Sequence, residues 1–279
     1  MLGIKNEASL RSSMIIAFIF LVLGFLAYKN SQVLMRTMVG QETRWRTASF
    51  QETQSSHYII KYTSSDTQVV PIIEQSAEEA YTSVSNIFGR DPQGKITLVV
   101  YPDESSLAQS FGWDRDEKAM GVYWGGTIRI LSPRAYLHGP DLEGQFYREG
   151  PMVHEFTHLM VDDVSHGNYN RWWTEGIAQY VEKEVTGFEF ADPFANGQQV
   201  KYYDLGTLEK QYDQLDQKVA YWESLKTIEW IVDNYGQQTL FDITSYLGQG
   251  YSMKQALEKG LGIPYSSFES QVYNELQGA

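Results

Sequence analysis

Hydrophobic and polar residues divide the chain into an apolar start, a polar connection and a long region of strand and helix patterns. From Met14 to Ala27 nearly every residue is apolar, and no charge occurs from Ser12 to Tyr28. This run is at the short end of what crosses a bilayer as a helix. Residues 1–29 are therefore predicted to form a transmembrane signal anchor. A cleaved signal peptide is the alternative, although Phe25 lies where a small residue normally precedes the cleavage site.

The charges around the apolar run bear on where the rest of the chain lies. Two basic residues precede the run and four follow it by residue 46. The preference for basic cytoplasmic flanks therefore does not fix the orientation. The large region after the span is expected to be translocated. The predicted localisation is the cell membrane, crossed once, with the domain on the extracytoplasmic side.

The pattern changes twice after the apolar run. Residues 30–56 are polar and rich in Gln, Thr and Arg, which is typical of a stalk or linker; a juxtamembrane helix that continues the anchor is an equal alternative. Residues 57–140 contain a helical pattern at 69–88 and three strand patterns, namely HYIIKY, ITLVVYP and MGVYWGGTIRIL. The last of these predicts two strands joined at Gly125-Gly126.

The remaining chain, residues 141–279, has a helical period throughout. Helices are predicted at 147–163, 172–185, 208–235, 238–247, 252–259 and 264–276. Residues 57–279 are thus predicted to be one α+β domain, in which a small mixed sheet lobe (57–140) is followed by a helical lobe. A cleft is expected between the two lobes.

Composition narrows the chemistry that this domain can perform. The net charge is -13, and because residues 1–29 contribute +2, the rest carries -15. With no basic stripe to offset this charge, nucleic acid is not an expected partner. The chain has no cysteine, which excludes disulfides, thiolate nucleophiles and cysteine-type zinc sites. A bound metal would need histidine and carboxylate ligands.

The segment PMVHEFTHLMVDD carries the clearest chemical signal. On a helix, His154 and His158 project from one face, so both imidazoles can bind one Zn²⁺ ion. Glu155 lies about 100° round the helix, within reach of a water at the metal, whose proton it can accept and pass to a leaving amine. The competing interpretation is a helix whose histidines are only solvated or hydrogen-bonded.

A third metal ligand is predicted on the next helix, because a catalytic zinc keeps three protein ligands and one open position. The segment RWWTEGIAQYVE contains Glu175, seventeen residues after His158. This spacing allows the first helix to end near Ser165 and a second to return beside it. The carboxylate then faces the two imidazoles.

Together, HEFTH and WTEGIAQY resemble the peptidase MA-like gluzincins, relatives of thermolysin and of the aminopeptidase N group. The resemblance extends loosely from about Tyr58 to the C-terminus, and only the two helices are specific. It implies a zincin-like fold, His154, His158 and Glu175 as zinc ligands, and Glu155 as the general base.

Further expectations come from particular branches of that family. In aminopeptidase N relatives, a tyrosine on a later helix stabilises the oxyanion, within a stretch that AYWESLK resembles. This implies a catalytic role for Tyr221, and an ordinary packing tyrosine is the alternative. The same relatives hold a substrate's free amine with a strand Glu, which is missing from residues 121–131. The difference favours internal cleavage of an extended peptide, paired along residues 126–131.

Thermolysin-like relatives often orient a zinc histidine through a carboxylate one turn after the Glu ligand. That position is Gln179 here. Either Gln179 or Asp162 is expected to take this role, and spacing does not decide between them.

The sequence therefore predicts a membrane-anchored zinc-dependent peptidase that acts on peptides or proteins, with endopeptidase specificity. The alternative is a catalytically silent binding or scaffold protein that keeps the same fold at the membrane. The presence of all three ligand types and of the base disfavours this alternative.

Overall fold

The computed structural model of the protein describes residues 31–114, 119–195 and 202–278. The predicted anchor, residues 1–29, lies outside these ranges. Within them, none of the helices has the length and apolar content that a bilayer crossing requires. The described chain forms a small sheet followed by packed helices, so the predicted α+β fold class is confirmed.

Five strands of the described chain form one mixed sheet in the spatial order β1-β2-β3-β5-β4. Strands β2, β3 and β5 run parallel, while β1 and β4 pair antiparallel at the two edges. The strands are β1 (Gln51–Gln54), β2 (Tyr58–Tyr62), β3 (Ile96–Tyr101), β4 (Gly121–Trp124) and β5 (Thr127–Leu131). Gly125 and Gly126 join the last two with φ angles of 52° and 86°, as a two-residue hairpin turn requires. The predicted hairpin is confirmed.

Helices precede the sheet, cover it and form the rest of the described chain. Three lie in the N-terminal part: α1 (Ser31–Arg46), α2 (Val70–Phe88) and α3 (Glu104–Phe111). Eight follow the sheet: α4 (Leu142–Glu149), α5 (Met152–Ser165), α6 (Arg171–Thr186), α7 (Leu205–Gln211), α8 (Gln217–Tyr235), α9 (Gln238–Gly248), α10 (Met253–Leu261) and α11 (Tyr265–Gly278).

Two helices predicted as continuous are each divided in the structure. The predicted helix 147–163 is split between α4 and α5, because Pro151 lacks the N–H that a continuous helix would need. The predicted helix 208–235 is split between α7 and α8, because a 3₁₀ turn at Tyr212–Gln214 intervenes and the Asp216 side chain caps the second helix. The first division starts a new helix two residues before His154.

The prediction that residues 30–56 form a free stalk is wrong for the part that the structure describes. This segment forms α1 and β1, and both pack on the domain. Arg36 binds Asp162 at 2.7 Å, and Glu42 binds Arg129 at 2.6 Å. The helical alternative is the better description, because polar residues that suggest a linker here pair with buried polar groups of the domain.

One hydrophobic core joins the sheet to the helices. Phe156 on α5 packs between Tyr58 of the sheet and Tyr81 of α2, with ring centroids 6.4 and 5.3 Å away. Trp172 and Trp173 at the start of α6 are fully buried, so they are core residues. Burial of each such side chain stabilises the fold by roughly 1.5–3 kcal/mol. The core therefore fixes α5 and α6 relative to the sheet.

Candidate metal centre and active site

Helices α5 and α6 lie side by side across a short turn. His166 ends α5 in a left-handed conformation, with φ 55°, and α6 begins at Arg171. Gly176 lets α6 approach α8 closely, because a Cβ there would lie 2.6 Å from the Ser224 carbonyl oxygen. This packing turns the polar faces of α5, α6 and α8 toward one space.

The structure brings the three predicted ligands together. The Glu175 Oε2 atom lies 3.4 Å from His154 Nε2 and 3.5 Å from His158 Nε2. The potential ligand atoms of all three residues lie within 4.8 Å of one another, and the group is almost enclosed. The predicted arrangement of one carboxylate facing two imidazoles is therefore present.

The outer nitrogens of both imidazoles are occupied by neighbours. His154 Nδ1 lies 3.1 Å from Glu182 Oε2, and His158 Nδ1 lies 2.7 Å from Thr174 Oγ1. A carboxylate accepts a hydrogen bond, so in the neutral imidazole that binds a metal Nδ1 of His154 carries the proton and Nε2 keeps a free lone pair. Partners of this kind hold a ligating imidazole in one orientation.

Neither residue expected to orient a zinc histidine does so. Gln179 donates from its side-chain amide to the Tyr221 carbonyl oxygen at 2.9 Å, which ties α6 to α8. Asp162 accepts from Arg36 at 2.7 Å and from Tyr123 at 2.6 Å. Both expectations are wrong, because each side chain hydrogen-bonds to a residue on another element instead. Glu182 is the carboxylate that contacts His154.

The chemistry of the donor set fits a zinc ion. Two ligands about 2.0–2.2 Å from one ion at a tetrahedral angle are about 3.3–3.5 Å apart, which matches both separations from Glu175 Oε2. This oxygen is buried and makes no hydrogen bond within the described chain. Its partner Oε1 accepts from Arg171 and from Tyr221, each at 3.3 Å. Buried polar atoms are normally satisfied, so Oε2 is suited to a metal.

The electrostatics of the site also favour a cation. Burial raises the pKa of Glu175, but the imidazoles of His158 and His154 outweigh it and bring the pKa well below the usual range. Burial lowers the pKa of His154, but Glu182, Glu175 and Glu155 raise it well above the usual value. Three carboxyl groups thus surround two imidazoles, and this concentration of negative charge stabilises positive charge at the centre.

The predicted base, Glu155, faces the same space from α5 and is held by the edge strand. Its Oε2 accepts from the Tyr123 backbone N–H of β4 at 2.6 Å. A Cβ at Gly121 would lie 2.8 Å from Glu155 Cγ, so only glycine allows this approach of strand and carboxylate. Burial raises the pKa of Glu155, and the two nearby imidazoles oppose that rise.

Tyr221, the predicted catalytic tyrosine, reaches the site from α8. Its hydroxyl donates to Glu175 Oε1 at 3.3 Å and borders the same cleft as His154 and Glu155. Burial raises its pKa, so the phenol stays protonated near neutral pH and remains a hydrogen-bond donor.

A cleft of about 1260 Å³ opens over these residues. The sheet lobe contributes Met120, Gly121 and Leu131, and the helical lobe contributes residues that include His154 and Tyr221. The expected cleft between the lobes is present. The expected peptide pairing along residues 126–131 is wrong, because β5 already pairs with β3 and β4 on its two sides. Among the described strands, β4 is the edge on this side.

Sequence reasoning missed several residues that contact the predicted ones. Glu182, Thr174 and Arg171 all lie on α6 with Glu175, and Tyr123 comes from the hairpin. Glu182 follows Glu175 by seven residues, which places both on one helix face. That spacing was an available signal, whereas the contact between Tyr123 and Glu155 uses a backbone N–H, which no residue type reveals.

The Peptidase MA superfamily profile matches residues 76–277. A search of curated proteins gave no significant match. Among solved structures, an M1 zinc metallopeptidase from Deinococcus radiodurans shares 12% identity at a TM-score of 0.45, covering 80% of this chain and 49% of that one. A two-domain M1 zinc metallopeptidase mutant bound to L-arginine shares 12% identity at a TM-score of 0.46, covering 80% and 50%.

The solved structures and the superfamily profile differ in how much of each protein they match. The chain spans about half the length of those solved structures. The superfamily profile covers well over half of this chain, including α5 and α6 with His154, His158 and Glu175. The chain therefore belongs to the Peptidase MA superfamily, and the gluzincin-like resemblance of its two motifs is confirmed.

Proposed function

We propose that the protein is a zinc-dependent metallopeptidase that hydrolyses peptide bonds. The observation that carries this proposal is the position of Glu175 Oε2, a buried oxygen that accepts no hydrogen bond from a described residue and lies 3.4 and 3.5 Å from the two imidazole Nε2 atoms. His154, His158 and Glu175 would hold the ion. Zinc bound there would act as a Lewis acid that lowers the pKa of water and polarises a substrate carbonyl.

Two protein side chains would handle the proton and the charge of the reaction. Glu155 would accept the proton from the attacking water and pass it to the leaving amine; its pKa, raised by burial, brings it closer to neutral pH, where a general base is most effective. Tyr221 would donate its phenolic hydrogen bond to the negative charge that develops on the carbonyl oxygen. To do this it would turn from Glu175, where the 3.3 Å contact is long for a hydroxyl donor.

The specificity that the site supports best is internal cleavage of an extended peptide. The cleft, with a volume of about 1260 Å³, has room for several residues, and β4 carries no acidic side chain that would hold a free amine. Because Val122 and Trp124 pair with Arg129 and Thr127, the backbone groups of Gly121 and Tyr123 point to the other side of β4. The Tyr123 N–H is already bound to Glu155 Oε2, so a substrate strand would pair with the remaining backbone groups there.

We also propose that the domain is held at the cell membrane by residues 1–29, on the extracytoplasmic side. The support beyond the apolar run is the outward face of α1, which begins directly after this segment. Val33, Leu34, Met38 and Trp45 expose 60%, 47%, 62% and 78% of their surface. The acidic residue of α1, Glu42, is paired with Arg129. A helix face with Leu, Met, Trp and no unpaired acid suits a lipid surface.

The decisive experiment measures metal content and cleavage by the full chain in detergent micelles. The substrates are a mixed peptide library in two forms, with free and with acetylated N-termini. We expect one zinc per chain and internal cleavage of both forms, loss of cleavage with a chelator and recovery with added zinc. Cleavage restricted to free N-termini would contradict the endopeptidase assignment. Stoichiometric zinc without any cleavage would instead support the scaffold alternative.

A further inference from the structure

Tyr123 attaches the edge strand to helix α5 at two places. Its backbone N–H donates to Glu155 Oε2 at 2.6 Å, and its hydroxyl donates to Asp162 Oδ2 at 2.6 Å. Glu155 and Asp162 are seven residues apart, so they lie on the same face of α5, about 10 Å apart along its axis. The same hydroxyl accepts from Gly126 N–H at 3.0 Å, within the hairpin turn. The hairpin is therefore fixed against the helix that carries the proposed base.

Asp162 is in turn held by α1. Arg36 binds its Oδ2 through Nη2 at 2.7 Å and through Nε at 3.2 Å, while Nη1 binds Asp163 at 3.2 Å. Gln32 donates to the Asp162 backbone carbonyl at 2.6 Å and to its side chain at 3.1 Å. Asp162 is 7% exposed, so its charge depends on these donors.

The fit between α1 and the hairpin turn is close. A Cβ at Gly125 would lie 2.7 Å from Val39 Cγ2, and a Cβ at Gly126 would lie 3.3 Å from Arg36 Cγ. Arg129 of β5 is buried and binds both Glu42 and Thr43 of α1. Helix α1 thus contacts the two strands of the hairpin and α5 at once.

We propose that Arg36, Asp162 and Tyr123 form a positioning cluster that fixes the carboxylate of Glu155 relative to His154 and His158. Helix α1 then helps to position the general base, in addition to the membrane contact proposed for its exposed face. The Tyr123 N–H is the donor that holds Glu155 Oε2, and its position depends on the Tyr123 hydroxyl and on the ion pair that neutralises Asp162. Among the described residues, none of these three side chains forms a hydrogen bond or ion pair with the side chains of the proposed metal ligands.

The kinetic consequence rests on the proposed peptidase function. When a general base is displaced by up to about 1 Å, the reaction rate falls far more than substrate binding does. Tyr123→Phe and Arg36→Met should each lower kcat by roughly ten- to a hundredfold, with KM within about twofold and with zinc still stoichiometric. Arg36→Lys keeps the charge without the fork of donors and should recover most of the activity.

Matched controls come from residues of the same type, an arginine on the same helix and a tyrosine in the same sheet. Arg44 lies exposed on α1 without an ion pair to a described residue, and Tyr62 lies in β2 without a hydrogen bond from its hydroxyl to the described chain. Arg44→Met and Tyr62→Phe should leave kcat unchanged. Arg36 acts on Glu155 only through Asp162 and Tyr123. The double variant Arg36→Met with Tyr123→Phe should therefore lose little more kcat than either single variant. Full additivity of the two losses, or losses no larger than in the controls, would overturn the cluster.

A measurement that needs no activity separates this inference from the proposed function. Hydrogen exchange of peptides that contain β4 should accelerate in Tyr123→Phe and Arg36→Met, while exchange in β3 stays as in the wild type. If the wild type cleaves no peptide but β4 exchange responds in this way, the peptidase assignment fails and the cluster stands. If β4 exchange is unchanged in both variants, the cluster is refuted whatever the activity.

Discussion

Two buried glutamates in the helical lobe, Glu175 and Glu223, have carboxyl groups whose pKa values are shifted in opposite directions. Glu175 on α6 faces two imidazoles and the Arg171 side chain, and its pKa lies well below the usual range although burial raises it. Glu223 on α8 is fully buried, and its carboxyl group contacts the Tyr203 backbone and the Tyr273 hydroxyl. Burial raises the pKa of this carboxyl group to about 7. No basic side chain of the described residues forms an ion pair with Glu223.

The difference lies in the partners rather than in the depth of burial. Around Glu223, Tyr273 can donate to the Tyr203 carbonyl oxygen while it accepts from a protonated Glu223. A neutral carboxyl group is satisfied there without a cation. Around Glu175, Oε1 has donors whereas Oε2 makes no hydrogen bond within the described chain, so a positive ion between Oε2 and the imidazoles would complete the site. Replacing carboxyl by carboxamide at each position tests this distinction.

The largest effect on zinc binding is expected at Glu175. Glu175→Gln removes the charge of the third ligand and should weaken zinc binding by more than about a hundredfold. Competition with a chromophoric chelator measures the affinity. Glu184→Gln, an exposed site on the same helix, is the matched control and should bind zinc normally. Equal affinities in the two variants would show that Glu175 is not a ligand.

Glu155→Gln should leave the metal and the fold intact while turnover falls by roughly a thousandfold, because an amide cannot accept the proton. Zinc content and circular dichroism establish that the protein is otherwise unchanged, and peptide cleavage gives the rate. Undiminished turnover in this variant would refute the role of Glu155 as general base.

A smaller effect is expected at Glu182, which supports a ligand without being one. Glu182→Gln keeps an acceptor oxygen for His154 Nδ1 but loses its charge, so zinc affinity should fall about tenfold. The chelator competition used for Glu175 measures it against the Glu184→Gln control. A loss as large as that of Glu175→Gln would place Glu182 among the ligands themselves.

The last effect, at Glu223, is on folding stability and depends on pH. The folded pKa of about 7 lies above the ordinary value of 4.5, so the folded state binds more protons between these values and wild-type stability falls as pH rises through that window. Glu223→Gln mimics the protonated form. Its stability relative to wild type should rise by up to about 3 kcal/mol from pH 4.5 to 7 and then level off.

Urea unfolding of both proteins across this pH range measures the difference. Glu275→Gln on α11, where the side chain is exposed, is the control and should track the wild type at every pH. A difference between Glu223→Gln and wild type that does not change with pH would mean that Glu223 is ionised in the folded protein throughout.

The local sequence was enough to predict the parts of the site that depend on helix periodicity. His154 and His158 share a helix face because of their spacing alone, and Glu175 follows at a distance that permits a return helix. The same reasoning was wrong for residues 147–163 as one helix, where Pro151 begins a new one, and for Gln179 as the partner of a histidine. The first error is local, because proline lacks an N–H, whereas the second arose because the Gln179 amide reaches the Tyr221 carbonyl oxygen on another helix.

The stalk prediction for residues 30–56 was wrong for a related reason. Taken alone, the polar residues of α1 have no apolar period that would bury a helix face. Arg36 and Glu42, which stay partly exposed, pair with the domain only because the buried Asp162 and Arg129 meet them from segments about 126 and 87 positions away. A polar helix of this kind is stabilised by charge pairing, which no hydrophobic pattern records.

The sequence by itself determined the α+β order, the hairpin at Gly125-Gly126 and the metal-binding residue types, because these follow from side-chain period and local backbone preference. Only the tertiary structure decided that Glu182 and Thr174 orient the imidazoles, that a backbone N–H of β4 holds Glu155, and that α1 packs on the active-site helix. These contacts join atoms far apart along the chain, and their geometry is set by how the shared core packs the elements together.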